Sequence, residues 1–163
     1  MYPDPTQIKE AFPQIVIETR IALGELSLFI AKEGVVPLCR YLHDDFEMQF
    51  NHITDICSLD FPEDEDRFEV VYHFYSIPKK HRIRVKARVS EDDCSIDSIT
   101  SIWKGANFME REVYDMMGIR FNHHPDLRRI MMPEDFEGYP LRKDFPTEGK
   151  GWRSTFEFLP NNS

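Results

Sequence analysis

The sequence predicts an α+β fold: a two-layer module of order α-β-β-α-β-β-β with a mostly antiparallel sheet, then a helix and an extended C-terminal arm. Three observations predict it. Helical and strand periodicities alternate over residues 4–89, the connections between them are short, and no sustained periodicity returns after Gly118.

Asp4 followed by Pro5 is an N-cap and first-turn pair, opening a short helix that runs to Phe12 and stops at Pro13. Ile15 to Ile17 and Leu26 to Ile30 read as strands joined by a turn around Gly24. After Gly34, Val35, Leu38, Leu42 and Phe46 recur at helical spacing, so an amphipathic helix is expected over 35–46. Extended runs follow from His52 to Phe61, Arg67 to Ile77 and Arg82 to Val89, with Pro-containing turns between them. In the last run Arg82, Arg84, Lys86 and Arg88 alternate with Ile83, Val85, Ala87 and Val89. Period two puts the cations on one face, read as a solvated outer face of the kind that protects an edge strand. Cross-strand pairing with Glu69, or docking of an acidic partner, are the alternatives.

Ser98 suits the start of a turn through Trp103, and Ala106–Met117 reads as a helix closed by Gly118 at the left-handed C′ position. Met109, Val113, Met116 and Met117 form its apolar face with Phe108 on the flank, while Arg111 and Asp115 stand at i,i+4 on the opposite side. Glu112 projects into the apolar arc and needs a partner, for which Arg128 and Arg129 are the candidates. Residues 119–163 hold five prolines and seven of the chain's 21 aromatics. Burying so many without regular structure calls for a surface on another protein. The expected division is therefore an α/β module at 1–97, a signature helix region at 98–118 and a partner-binding arm at 119–163.

Composition excludes several classes. The net charge is −9 with a pI near 5.1, and residues 1–99 carry nearly all of that charge, so nucleic acid is not the expected partner. No apolar run is long enough to span a bilayer, and the opening MYPDPTQIKE does not read as a signal peptide. Cys39, Cys57 and Cys94 are too scattered for a disulfide framework or a cluster motif. His123, His124 and Asp126 invite a metal hypothesis, but adjacent histidines on an extended segment point apart, which favours a structural turn. Glu110 and Glu112 lie about 200° apart on a helix and cannot serve one substrate atom. No catalytic constellation, phosphate loop or nucleotide fingerprint is legible.

The run from Glu110-Arg111-Glu112 through Asp115 and Gly118 continues into His124-Pro125-Asp126-Leu127-Arg128-Arg129-Ile130. It closes at Gly138-Tyr139-Pro140-Leu141-Arg142-Lys143-Asp144. In order and spacing this resembles the signature of the C-type peripheral-arm subunits of proton-pumping NADH:quinone oxidoreductase, respiratory complex I. The end of the chain shortly after the signature suggests the stand-alone form. The resemblance implies a non-catalytic scaffold subunit of the peripheral arm, on the cytoplasmic side of a bacterial plasma membrane. FMN, iron–sulfur clusters and quinone are then held by partner subunits and no cofactor or metal by this chain. Its expected partner is the large, D-type subunit that forms the quinone site. Glu110, Arg111, Glu112, Asp115, Gly118, His124, Pro125, Arg129, Gly138, Pro140, Leu141, Arg142, Lys143 and Asp144 become structural signature residues. Phe136, Tyr139, Phe145, Trp152, Phe156 and Phe158 become the anchors of the arm. The alternatives are the equivalent subunit of a related membrane-bound hydrogenase or ferredoxin-linked complex, or a free-standing binding or metal-dependent protein using His123, His124 and Asp126.

Overall fold

A computed structural model describes residues 2–151, so the anchors Trp152, Phe156 and Phe158 lie outside the described residues. Helix α1 (Pro5–Ala11) is capped by the Asp4 carboxylate, which accepts from the Thr6 amide at 2.9 Å. Strands β1 (Val16–Ala22) and β2 (Glu25–Ile30) form a hairpin whose two turn residues, Leu23 and Gly24, both have positive φ. That conformation matches the twist of the flanking strands, and glycine adopts it freely. A 3₁₀ turn at Lys32–Gly34 leads into α2 (Val35–Asp44), then β3 (His52–Asp60), β4 (Phe68–Ser76) and β5 (His81–Val89).

The sheet order is β1-β2-β5-β4-β3, antiparallel except for the parallel β2–β5 pair. Its inner face (Leu26, Leu28, Ile30, Val70, Tyr72, Phe74, Ile83, Val85, Ala87 and Val89) shares one core with Ile8 of α1 and Leu38 and Leu42 of α2. The architecture is thus the expected two-layer α+β module. Two expectations change. Strand β5 is central, so its cations do not guard an edge. On the outer face Lys86 and Arg88 pair with Glu69, Arg88 also with Asp64, and Arg84 with Glu25. Phe46 is exposed because α2 ends at Asp44 and Asp45 turns to extended backbone; Lys79 stacks on its ring.

Beyond the module, β6 (Ser95–Asp97) pairs in parallel with β7 (Arg120–Asn122), a short ladder the sequence pattern did not reveal. Helix α3 (Ala106–Met117) lies between them in the chain and packs along β3. Ile119 and Phe121, just after it, belong to the common core.

Candidate functional site

Helix α3 buries the side of itself that looks polar. Glu110 and Asp115 are fully inaccessible and Arg111 nearly so, whereas Glu112 and Phe108 are exposed. The expectation of a buried Glu112 paired by Arg128 or Arg129 is corrected. The sheet covers one side of α3 through Val113, and the chain returning after β7 covers the opposite side. The Asp115 face is therefore sandwiched, and Glu112 is left at the rim of a groove beside Asp55–Ser58 and Leu141.

Asp115 organises that returning segment. Its Oδ2 accepts three successive amides, from Ile130, Met131 and Met132 at 2.7–2.9 Å, and its Oδ1 takes Arg129 Nη1 at 2.7 Å. Burial alone pushes the Asp115 carboxyl pKa up, but these four donors outweigh it and hold the pKa below the usual carboxylate range. Arg111 does not pair with Asp115; its guanidinium donates to the carbonyls of Arg128 and Arg129. Arg129 reaches on to the Gly138 carbonyl and stacks near the Phe136 and Tyr139 rings. Three charged side chains thus convert an irregular segment into one with its backbone groups satisfied.

The far end of α3 is closed by the same segment. Leu141 donates its amide to the Met116 carbonyl, and Arg142 Nε donates to the Met117 carbonyl at 2.7 Å, capping groups that every helix leaves free. Gly118 has φ +78°, and a Cβ there would sit 2.5 Å from the Tyr139 ring, so both backbone and packing demand glycine. Beyond Arg142, the Lys143 amide donates to Asp60, and Asp144 joins Arg67, which also holds Asp60 bidentately and Glu91. The Arg67 bonds hold the Asp60 and Asp144 carboxyls below the usual carboxylate range. Asp60, Arg67 and Glu91 were missed in the sequence. Their signal was a cation following the acidic β3–β4 turn, which reads on its own as solvated charge.

At the N-terminal half of α3, Glu110 accepts the Ile99 amide at 2.8 Å and the Ser98 hydroxyl at 2.6 Å. Burial is the larger effect, and it raises the carboxyl pKa from 4.5 to about 7 against those two bonds. The side chain of His124 is buried nearby, its Nε2 3.9 Å from the Glu110 carboxylate. Its Nδ1 accepts the Asp126 amide, so Nε2 carries the proton and donates to the Asn107 carbonyl. His123 is exposed with φ +63°, and Asp126 pairs with Arg128, so the three residues of the metal hypothesis diverge. Among the described residues no group of three or more His, Cys, Asp or Glu is placed to hold a metal.

The structure therefore gathers Glu110, Arg111, Asp115, Gly118, His124, Arg129, Gly138, Arg142 and Asp144 into one clasp. Leu141 and Lys143 contribute their backbone amides, Pro140 is half-buried, and Pro125 is exposed in the turn after His124. Phe136 and Phe145 stack on each other, and with Tyr139 they are half-buried against the clasp. Around it Phe108, Ile130, Met131 and Leu141 stay exposed. No helix among the described residues is long and apolar enough to cross a membrane.

Residues 28–151 match the family described as respiratory-chain NADH dehydrogenase, 30 Kd subunit. The chain is 48% identical over 144 residues to the C-type chain of NADH-quinone oxidoreductase from Geobacter sulfurreducens, covering 88% of each. It is 47% identical over 142 residues to the same component from Hyphomonas neptunium, covering 87% of this chain and 70% of the relative. Among solved structures, a trypsin-resistant fragment of Nqo5 superimposes with a TM-score of 0.60 at 35% identity, over 68% of this chain and 89% of the fragment. A chain of the membrane-bound sulfane sulfur reductase, an archaeal respiratory membrane complex, shares the fold with a TM-score of 0.74 at 24% identity. That match covers 87% of this chain and 83% of the other.

Proposed function

We propose, for a chain that belongs to the respiratory-chain NADH dehydrogenase 30 kDa subunit family, that its work within NADH-quinone oxidoreductase is to hold neighbouring subunits in place rather than to react. The observation that carries this reading is how the charged groups of the clasp are used. Arg111, Asp115, Arg129 and Arg142 all bind backbone groups of the chain itself, and large apolar side chains, Phe108, Ile130, Met131 and Leu141, are left bare around them. Charges used internally beside exposed Phe, Ile, Met and Leu suit a docking surface, with hot-spot residues at its centre.

In this reading the clasp fixes residues 128–145 and sets the direction in which the chain leaves, and 119–163 is the partner-binding part. Trp152, Phe156 and Phe158 are its outer anchors, and the large quinone-site subunit is the partner. FMN, iron–sulfur clusters and quinone belong to the partner subunits, with this chain peripheral on the cytoplasmic face of the plasma membrane. The test is co-purification of the tagged chain with the quinone-site subunit. Met131→Asp together with Leu141→Asp is expected to reduce recovery of the partner at least tenfold while the isolated chain keeps its melting temperature. Unchanged recovery, or NADH:quinone turnover by the isolated chain, would overturn the reading.

A further inference from the structure

The outer edge of β1 carries a pattern that the docking surface does not use. Among the described residues strand β1 pairs with no strand but β2, so its other side is an open edge. Along it Ile17 is 69% and Ile21 49% exposed, with Glu18 and Arg20 between them. Open edges with β-branched side chains invite pairing with another strand, and natural sheets usually guard them.

The five residues Ile17-Glu18-Thr19-Arg20-Ile21 are complementary to themselves when read antiparallel. With Thr19 opposite Thr19 of a second copy, Glu18 faces Arg20 twice and Ile17 faces Ile21 twice. The hydrogen-bonding phase agrees. The two-residue turn makes Ala22 and Glu25 the closing bonded pair, so Arg20 and Glu18 bond inward to β2 while Thr19 and Ile21 aim N–H and C=O outward. Pairing about Thr19 needs those same outward groups. The register also breaks between Val16 and Glu18, which leaves Ile17 without a partner on β2. In the single chain Arg20 pairs with Glu18 of its own strand and lies over the Phe29 ring of β2, and both charged side chains are at least half exposed.

We infer that the free chain forms a two-fold symmetric dimer by antiparallel pairing of β1 with β1 of a second copy, centred on Thr19, joining two five-stranded sheets into one. The occupant is a second copy because the complementarity is to the strand's own sequence. A two-fold interface requires that self-matching. The interface is small, so it is weak and reversible, and it stands independently of the docking reading.

Sedimentation equilibrium of the full chain across the micromolar range tests it, with circular dichroism to verify that each variant is folded. The wild type is expected to show a reversible monomer–dimer equilibrium. Glu18→Arg and Arg20→Glu each place like charges opposite twice per dimer and are expected to raise the dissociation constant by about tenfold. The double variant restores both pairs and is expected to return to within about twofold of wild type. Thr19→Pro removes an outward N–H, leaves the β2 ladder intact and is expected to abolish the dimer. A wild type monomeric at every concentration, a double variant as weak as the singles, or a folded Thr19→Pro that still dimerises would overturn the inference. The charge swap decides the matter if Thr19→Pro disturbs the hairpin.

Discussion

Two regions of this molecule are built from the same ingredients, basic side chains and carboxylates, and use them differently. On the outer sheet face, Arg84 of β5 meets Glu25 of β2 and Arg88 meets Asp64 in the β3–β4 turn, with both partners in contact with water, while Glu69 of β4 is itself buried and shared by Lys86 and Arg88. In the clasp, Asp115 is inaccessible and has four donors, and Asp60 is enclosed by Arg67. Solvent stands ready to replace a lost partner at Glu25 or Asp64, whereas nothing replaces one at Asp115. Exposed pairs are therefore worth a fraction of a kcal/mol, and breaking a buried one costs several. Charge in this chain is structural where burial seals it, as at Asp115, Asp60 and Glu69.

The strongest way to break that contrast is at Asp115. Asp115→Ala strands three amides and the Arg129 guanidinium, and a loss of about 4 kcal/mol in denaturant unfolding is expected. A loss below about 1 kcal/mol would mean that water reaches the clasp. Next is Glu110. Its folded pKa of about 7 lies above its ordinary 4.5, so the neutral acid is the form the fold favours. Its contribution is complete below pH 4.5 and fades as the pH rises through about 7, and over that window it amounts to at most about 3 kcal/mol. Glu110→Gln is expected to abolish this decline. The difference in unfolding free energy between wild type and variant, measured from pH 5 to 8, isolates it from Asp60, Asp115 and Asp144. Those three have lowered pKa values and lose stability in the opposite direction, on acidification.

Gly118→Ala combines a left-handed backbone with a clash on Tyr139, and about 2 kcal/mol of destabilisation is expected from thermal unfolding. The smallest effect sharpens the other side of the comparison. Arg84→Ala is expected to cost less than about 0.5 kcal/mol, a difference that vanishes in high salt. If it matched Asp115→Ala, the distinction between the two regions would collapse.

Much of the fold was legible because its signals are local. The Asp4 cap, the Leu23-Gly24 turn region, the strand alternation and the Gly118 stop each depend on residues a few positions apart. The signature residues from Glu110 to Asp144 were also legible as a set, through a resemblance rather than through chemistry. What they do was not legible. Helical periodicity put Glu112 in the buried arc, since it assumes a helix has one covered side, and α3 has two. Phe46 failed for a related reason: a periodic pattern does not say where a helix stops.

By itself, then, the sequence determined the order of elements through β5 and helix α3, the caps and turns, the two-layer class and the stretch that identifies the family, all of which rest on short-range patterns of shape and polarity. Only the tertiary structure decided that β5 is central and parallel to β2, that β6 meets β7, and that Arg67, 77 residues before Asp144, closes on it. It also decided which carboxylates of α3 are sealed from water. Burial depends on what returns to cover a surface, and pairings between distant segments are selected by the packing of the whole chain, which no local window contains.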